Sequence, residues 1–370
     1  MPSIWGEQLK ISFFGESHGP AVGVVLDGLP TGQEIDLEQM ETFMARRAPG
    51  RAPWSTARRE DDRTRILSGI YQGRTCGTPL CAVIDNQDMR PEDYPERMCV
   101  PRPGHADYTG WKRYRGDNDP RGGGHFSGRL TAALCFAGAI AKQILSRCGI
   151  TVAARILEIG GIPDQPLNPA RVDEKELEQI GAKELPVADN NQGRKMVELI
   201  EAVRQEGDSL GGMIECFALG LPAGLGDPMF GGMKSRLASI VYGIPAVSGV
   251  SFGAGFAACS LRGSEHNDAF YVDQQGEVRT RTNRAGGING GITNGMPLVL
   301  NVGIKPTSSI GKPQASIDLR TGEAKTLVSA GRHDPCIVPR AVPAVEAAVA
   351  VAVLDLLLVA YGVQGPIWTD

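Results

Sequence analysis

Residues 341–362 read AVPAVEAAVAVAVLDLLLVAYG, the only long apolar stretch in the chain. Alanine, valine and leucine occupy most faces of the helix that this stretch predicts, so the helix should be buried in the core. A membrane span needs about 20 nearly uncharged residues, whereas Pro343, Glu346 and Asp355 interrupt this stretch. The sequence therefore indicates a long buried helix of a soluble fold and no membrane partner.

Three other segments have the periodicity of helices, and signals mark their ends. In the first segment, Ser127 is the expected N-cap and Gly149 the expected stop. In the second, Asp36 is the expected N-cap, and the helix carries Arg46 and Arg47 to its C-terminal end. The segments are SGRLTAALCFAGAIAKQILSRCG at residues 127–149, DLEQMETFMARRA at 36–48 and RKMVELIEAVRQEG at 194–207.

Short segments rich in β-branched and aromatic residues predict strands between these helices. Residues 51–66 predict an exposed, arginine-rich loop, and residues 161–192 predict a surface excursion rich in proline and acids. Helices mixed with short, hairpin-spaced strands favour an α+β fold over a regular βαβ series. Since no repeat or linker divides the chain, we expect residues 1–370 to form a single domain. The strand segments are 9–14, 21–30, 67–71, 79–86, 213–222, 247–252 and 298–304.

The composition is that of a globular protein, with 42% apolar and 22% charged residues. A net charge of -4 disfavours a broad surface for nucleic acid. Eight cysteines without a C-x-x-C pair are expected to be reduced thiols, which indicates a cytoplasmic protein. Residues 1–10 lack the apolar core of a signal peptide. The five histidines lack metal-ligand spacing, so we expect no catalytic metal.

Glycine makes up 48 of the 370 residues, well above its average usage of about 7%, and it clusters around residues that can carry chemistry. His18 and His105 lie on glycine-flanked turns, where imidazole can exchange protons near neutral pH. Three glycines before Ser127 lead toward a helix N-terminus, a site for phosphate or carboxylate. Lys305 precedes three hydroxyl residues, a set suited to a phosphate. The motifs are GESHG at 15–19, RPGHAD at 102–107, RGGGHFSGR at 121–129, NRAGGINGGITNG at 283–295, KPTSSI at 305–310 and GRHDPC at 331–336.

Residues 15–19 also match G-x-S-x-G, the nucleophile elbow of serine hydrolases, with Ser17 as the nucleophile. An elbow requires a strand, a sharp turn and then a helix, whereas Pro20 and a β-branched strand follow here. A serine hydrolase is therefore the alternative enzyme class. Residues 253–258 fit G-x-G-x-x-A, but a dinucleotide-binding fold needs a helix where this sequence indicates a turn.

In order and spacing, the six motifs together resemble those of one family, chorismate synthase, over essentially the whole chain. The resemblance implies a β-α-β sandwich with antiparallel sheets around helices, usually assembled as a homotetramer. It implies a carbon–oxygen lyase that removes phosphate from 5-enolpyruvylshikimate 3-phosphate by anti-1,4-elimination to give chorismate. This is the last shared step of the shikimate pathway in aromatic amino acid biosynthesis. The reaction requires reduced FMN, with NADPH as a candidate reductant of the flavin.

The resemblance also implies roles for residues of this chain. His105 would donate a proton beside the reduced flavin, and His18 beside the leaving phosphate. Asp334 would assist the proton step at flavin N5, with Ser17 and Ser127 as a relay. The implied cofactor-binding residues are His125, Phe126, Ser127, Ala246, Gly290, Lys305, Pro306, Thr307, Ser308, Ser309 and Arg332. The implied substrate-binding residues are Arg46, Arg47, Arg102, Arg129 and Arg332.

Three positions depart from the pattern of many members of the family. Ala48 replaces a third consecutive arginine, and Pro53 occupies a position that is usually basic. Pro245–Ala246 stands where many members have an Asn-Ala pair that contacts the flavin. Proline has neither a side-chain amide nor a backbone N–H to offer there. A flavin- or phosphate-binding module without turnover is the non-enzyme alternative.

Overall fold

The computed structural model describes residues 3–50, 61–87, 99–328 and 334–363. Within these ranges the helices are α1 Leu37–Arg47, α2 Asp107–Tyr114, α3 Thr131–Arg147, α4 Glu174–Gly181, α5 Asn190–Gln205, α6 Met233–Val241, α7 Gly263–His266 and α8 Val338–Tyr361. The strands are β1 Ile4–Trp5, β2 Lys10–Gly15, β3 Ala21–Asp27, β4 Thr64–Ser68, β5 Ile70–Tyr71, β6 Arg74–Thr75, β7 Leu80–Asp85, β8 Thr151–Ile159, β9 Ile162–Pro163, β10 Gly212–Leu219, β11 Val247–Phe252, β12 Phe270–Val272, β13 Val278–Thr280, β14 Ile288–Asn289, β15 Ile292–Thr293, β16 Leu298–Ile304, β17 Gln314–Ile317 and β18 Ala324–Leu327.

Two antiparallel sheets flank a middle layer of helices, and α4 packs on the other face of the second sheet. In the first sheet the strand order is β1-β2-β3-β7-β4, and in the second it is β11-β16-β10-β8-β9. Every neighbouring pair in both sheets is antiparallel. In the described part of the chain, four further strand pairs form small hairpins: β5-β6, β12-β13, β14-β15 and β17-β18.

Helices fill the space between the two sheets. The central helix α8 packs against α3, α1 and α6 and against β8 and β10 of the second sheet. Helix α3 packs against β3 and β7 of the first sheet. Among the described residues, α8 is the one helix apolar enough to span a membrane, and 94% of its apolar window is buried in the protein. The predicted sandwich of antiparallel sheets around helices is therefore confirmed.

The two acids within α8 connect this helix to its surroundings. Glu346 accepts two hydrogen bonds from Arg46, at 2.6 and 3.0 Å, and one from Lys142 at 2.5 Å. Burial raises the pKa of Glu346, but these two cations outweigh burial and lower it to about 2. Asp355 accepts from the backbone N–H of Leu9 at 2.8 Å and pairs with Arg236. Glu346 is thus ionised, and each of the two acids holds α8 to another part of the chain.

The close approach of α3 and α8 depends on one glycine. A Cβ on Gly138 would overlap the Cβ and Cα of Ala347 on α8. Side chains larger than hydrogen would therefore separate the two helices. Because both helices also pack on the sheets, their spacing affects the whole middle layer.

The structure differs from the sequence-based expectations in two of the segments predicted to be irregular. Residues 64–68 form β4 at the edge of the first sheet, so the predicted loop 51–66 was wrong at its C-terminal end. Residues 51–60 lie outside the described residues. The predicted excursion 161–192 contains β9, α4 and the start of α5. Leu177 and Ile180 of α4 are buried, so this segment packs on the protein surface with an apolar face of its own.

We predict that Gly138→Ala destabilises the protein, although alanine is the better helix former by about 1 kcal/mol. The added methyl group must displace the backbone of α8, and overpacking of this kind costs about 1–3 kcal/mol. The measurement is the midpoint of thermal or urea unfolding.

The matched control is Gly181→Ala at the end of α4, where the nearest atom to the added Cβ is Arg46 Nη2 at 3.9 Å. Its midpoint should equal or exceed that of the unmodified protein. A Gly138→Ala midpoint that is equally high would contradict the proposed helix contact.

Candidate active site

A cavity of about 660 Å³ lies where several turns of the fold meet. It is bordered by the turn between β2 and β3, the end of α1, the turns on either side of α2, the segment before β11, the segment after β16 and the start of α8. The residues that line it are Ser17, His18, Arg47, Pro49, Arg102, Gly104, His105, Ala106, Gly122, His125, Phe126, Ser127, Gly128, Arg129, Thr131, Tyr242, Gly243, Ile244, Pro245, Ala246, Val247, Lys305, Pro306, Thr307, Ser308, Ser309, Asp334, Ile337, Arg340, Ala341 and Ala344.

The run Gly122–Gly124 lies between the two histidines predicted to carry protons. Its three φ angles are 59°, 92° and 53°, a region that L side chains rarely adopt. A Cβ on Gly122 would overlap the ring of His18, and a Cβ on Gly123 would lie 3.1 Å from Cε1 of His105. Backbone without side chains therefore lets both rings pack against one short segment.

The sequence predicts that this run leads to the N-terminus of α3. In the structure, two 3-10 segments stand between the run and the helix. Residues 121–126 form an irregular 3-10 segment, and a second 3-10 turn, Gly128–Leu130, precedes the helix. Ser127 separates the two turns, and its hydroxyl accepts from the backbone N–H of Arg129 at 3.2 Å. The cap was predicted correctly, but it caps the 3-10 turn that leads into α3.

His18 and Ser17 are both almost fully buried. His18 Nδ1 lies 3.2 Å from Ser17 Oγ, and the backbone N–H of Ser17 donates to Gly124 O at 3.1 Å. The turn joins two antiparallel strands, β2 and β3, with no helix after Ser17. The strand–turn–helix context of a nucleophile elbow is therefore missing, which argues against a serine hydrolase.

His105 belongs to a compact group of ionisable side chains. Its Nδ1 lies 2.5 Å from Asp107 Oδ1. Arg102 donates to both oxygens of Asp107, at 2.7 and 2.8 Å, and to Ser309 Oγ at 3.1 Å. Burial raises the pKa of Asp107, but hydrogen bonds from Arg102 and His105 outweigh burial and hold that pKa well below its ordinary value. Asp107 is therefore ionised.

Two arginines of the cavity share one buried carboxylate. Arg47 donates to Asp62 at 2.6 Å, and Arg129 pairs with the other oxygen of Asp62. Arg129 also donates to Asn86 Oδ1 at 2.8 Å. Burial raises the pKa of Asp62, but the two guanidinium groups outweigh burial and lower the pKa below its ordinary value. The shared carboxylate fixes both guanidinium groups and neutralises part of their charge.

A third carboxylate lies at the start of α8. Asp334 pairs with Arg340, whose Nε donates to the backbone carbonyl of Arg47 at 3.0 Å. Burial lowers the pKa of Arg340, and the charge of Asp334 opposes that shift. Lys305 donates to Gly104 O at 2.7 Å, which connects the segment after β16 to the turn that carries His105.

His125 has a partner for each ring nitrogen. Nδ1 lies 2.9 Å from Gly15 O, and because a carbonyl only accepts, Nδ1 carries a proton. Nε2 lies 2.7 Å from Ser3 Oγ. Phe126 packs near Tyr114, with ring centroids 6.3 Å apart. Both residues line the cavity while also holding neighbouring segments in place.

The segment before β11 contains the departure from the family pattern at Pro245–Ala246. Ala246 has a φ of 73°, which is unusual for alanine. Its carbonyl accepts from the backbone N–H of Lys305 at 2.9 Å. The two residues line the cavity and offer it small apolar surfaces and backbone groups.

Most of the site residues predicted from the sequence lie around this one cavity, and two lie elsewhere. Arg46 points toward Glu346 and is not among the lining residues. Gly290 lies in the turn of the β14–β15 hairpin, also outside the lining. Arg332 and Pro53 lie outside the described residues.

Two acids that hold cationic side chains, Asp62 and Asp107, were not predicted as site residues. Asp107 belongs to the RPGHAD motif, in which the histidine and the arginine carry the predicted roles. Asp62 is an acid within an otherwise arginine-rich stretch, and that contrast in charge was the available signal. Arg340 follows the last motif. Its position six residues after Asp334 was the available signal for an ion pair between the two. Tyr242 and Thr131 carried no such signal, since their positions depend on tertiary packing.

Comparisons with known proteins agree with this arrangement. The family model described as chorismate synthase matches residues 9–358. A chorismate synthase of Aeropyrum pernix is 47% identical over 95% of this chain and 92% of its own length. One from Synechococcus elongatus is 45% identical, over 97% of this chain and 98% of its own length.

A solved crystal structure of a chorismate synthase is also similar. It superposes with a TM-score of 0.76 at 28% identity, covering 97% of this chain and 94% of its own. The similarity thus extends over both sheets, the helices between them and the turns that form the cavity. The chain belongs to the chorismate synthase family.

Proposed function

We propose that this chain catalyses the anti-1,4-elimination of phosphate from 5-enolpyruvylshikimate 3-phosphate, with reduced FMN, to give chorismate. In this reaction one C–O bond and one C–H bond break, a new C=C bond forms, and phosphate and a proton leave. The observation that carries the proposal is the packing of the His18 ring against Gly122 and of the His105 ring against Gly123, in one cavity lined by cationic side chains.

The cavity supports a nucleotide-sized ligand together with a small anion. Its volume of about 660 Å³ falls within the range of about 300–1,000 Å³ that small-molecule sites occupy. Lys305, Ser308 and Ser309 offer an ammonium and hydroxyls to a phosphate. Gly104 and Ala246 lack bulky side chains, so a flat ring can approach the backbone there.

The family uses a flavin, and within this cavity we assign reduced FMN to the side formed by residues 125–127, 245–246 and 305–309. Bound there, the reduced flavin supplies the electron density that assists departure of the phosphate. The chain would orient the flavin and exclude water from it. NADPH is the candidate reductant.

The substrate carries two carboxylates and a phosphate, and the cavity offers arginines held in fixed directions. We assign Arg47, Arg102 and Arg129 to these anions. The carboxylates Asp62 and Asp107 already orient the three guanidinium groups. A guanidinium group that is already oriented loses less conformational entropy on binding an anion than a freely rotating side chain does.

Two proton donors act at different ends of the site in this proposal. His18, beside Ser17, donates to the leaving phosphate. His105 keeps a proton near the reduced flavin. Asp334, paired with Arg340, would hold a proton on the flavin side of the cavity, and Ser17 and Ser127 would act as a relay.

Several broader features belong to the same proposal. The cavity takes residues from both ends of the chain, which supports residues 1–370 folding as one unit. The relatives are biosynthetic enzymes, which favours a cytoplasmic protein. We propose a homotetramer, and we assign neither nucleic acid nor a membrane as a partner.

The decisive experiment is an anaerobic assay with dithionite-reduced FMN and 5-enolpyruvylshikimate 3-phosphate. Phosphate and chorismate should form in equal amounts without net consumption of the flavin. Flavin binding without phosphate release would instead support a binding module. NADPH consumption in proportion to product would support an oxidoreductase. Labelling of Ser17 by a phosphonate probe would support a hydrolase.

We predict that His105→Ala and Asp334→Asn each lower kcat by about 100-fold or more, the scale of general acid–base catalysis. Both variants should still bind oxidised FMN, as measured by flavin fluorescence. If either variant keeps a near-normal kcat, the role assigned to that residue is wrong.

We also predict that Gly122→Ala lowers kcat by about 100-fold, because the new Cβ must move the ring of His18. The matched control is Gly263→Ala, where a Cβ meets no atom within 4 Å, and its kcat should match that of the unmodified protein. An unchanged kcat in Gly122→Ala would show that the contact between the glycine run and His18 is not needed.

A further inference from the structure

Asp107 is an ionised carboxylate that contacts His105, a proposed proton donor. It is not one of the residues that line the main cavity. It lines a separate cavity of about 50 Å³, together with Trp111, Asn118 and Gly123. Its partners His105 and Arg102, in contrast, do line the main cavity. We therefore expect an effect of Asp107 on the reaction to pass through His105 or Arg102.

The contact between Asp107 and His105 determines the tautomer of the imidazole. Nδ1 of His105 lies 2.5 Å from Oδ1 of Asp107. An ionised carboxylate can only accept a hydrogen bond, so Nδ1 must carry the proton. Nε2 is then the ring nitrogen that no carboxylate holds, and it lies on the side of Gly123.

Asp107 also opposes the charge of its neighbouring arginine. Nη2 of Arg102 lies 3.0 and 3.2 Å from the two ring nitrogens of His105. Alone, this cation would disfavour the imidazolium form of His105. Asp107 accepts from Nε, Nη2 and the backbone N–H of Arg102, so its negative charge offsets that cation.

Charged groups from other elements lie around His105. Lys305, from the segment after β16, donates to Gly104 O beside it, and Asp119 lines the small cavity with Asp107 and Gly123. The charged residues that line the main cavity with His105 include Arg47, Arg129, Asp334 and Arg340. The glycine run packs against the ring with backbone only. Asp107 is also the first residue of α2, where the helix dipole favours a negative charge.

We propose that Asp107 is a positioning residue for His105: its carboxylate fixes the proton on Nδ1, sets the direction of the ring and offsets the charge of Arg102. The proposal rests on the proposed function, in which His105 supplies a proton. It adds a residue that touches neither substrate nor flavin.

The test compares Asp107→Asn with Asp107→Glu in the anaerobic assay across a range of pH. Asn keeps the size of the side chain and removes its charge. We expect kcat of Asp107→Asn to fall by about 10- to 100-fold at pH 7.5, the scale of one charge-assisted hydrogen bond. The KM for substrate should rise by a smaller factor than kcat falls, because Asp107 also orients Arg102, while Arg47 and Arg129 keep their own carboxylate. The basic limb of the kcat profile should move to lower pH, because Arg102 then acts on His105 unopposed.

Two further measurements separate positioning from a merely structural role. Asp107→Glu restores the charge and should recover part of kcat and move the basic limb back. Histidine 15N NMR should show the Nδ1 proton of His105 in the unmodified protein and a smaller population of that tautomer in Asp107→Asn, where a neutral amide replaces the carboxylate. The matched control is Glu201→Gln, which removes a carboxylate from a similar fork with Arg204 on the exposed face of α5. Its pH profile should not change.

An unshifted pH profile with normal kcat in Asp107→Asn would overturn the inference. Equal losses of flavin binding and thermal stability in both Asp107 variants, with an unmoved basic limb, would also overturn it, since they indicate a structural role. Failure of the proposed function is distinguishable, because the unmodified protein would then release no phosphate, while the NMR signal would still report on the His105 tautomer.

Discussion

The approach of two imidazole rings to one stretch of bare backbone is the constraint on which the site depends. Gly122–Gly124 adopts three consecutive positive φ angles, and no side chain stands between the run and the rings of His18 and His105. The two histidines come from turns more than eighty residues apart in sequence. The first sheet packs against α3 and the 3-10 turns before it, and Lys305 holds the turn that carries His105.

Charge in the cavity is balanced by carboxylates placed behind or beside the cations. Arg47 and Arg129 share Asp62, and Arg102 and Arg340 each have an acid of their own. This arrangement offsets the cost of burying guanidinium groups before any ligand arrives. The net positive charge of the cavity is therefore smaller than the number of its arginines indicates. An anion is recognised by the orientation of the guanidinium groups as well as by their charge.

The sequence predicted the local features and missed features that depend on long-range contacts. Helices α1, α3, α5 and α8 and the long strands follow from periodicity and caps, which are local signals. The glycines that flank the histidines were visible in the sequence, because turns with positive φ favour glycine. They therefore marked His18 and His105 as residues on tight turns. Arg46 was assigned to the substrate, but Glu346 of α8 binds it, and this contact spans 300 residues of sequence. Asp62 and Asp107 were overlooked for the same reason, since their importance comes from the partners that the fold supplies.

The central claim is that flavin and substrate bind together in the cavity between His18, His105 and Lys305. The most direct measurement is a crystal structure of the protein with oxidised FMN and 5-enolpyruvylshikimate 3-phosphate. The account predicts the flavin ring beside His105, its phosphate near Lys305 and Ser309, and the substrate phosphate near His18. Ligand density on another surface, with this cavity still holding only solvent, would contradict it.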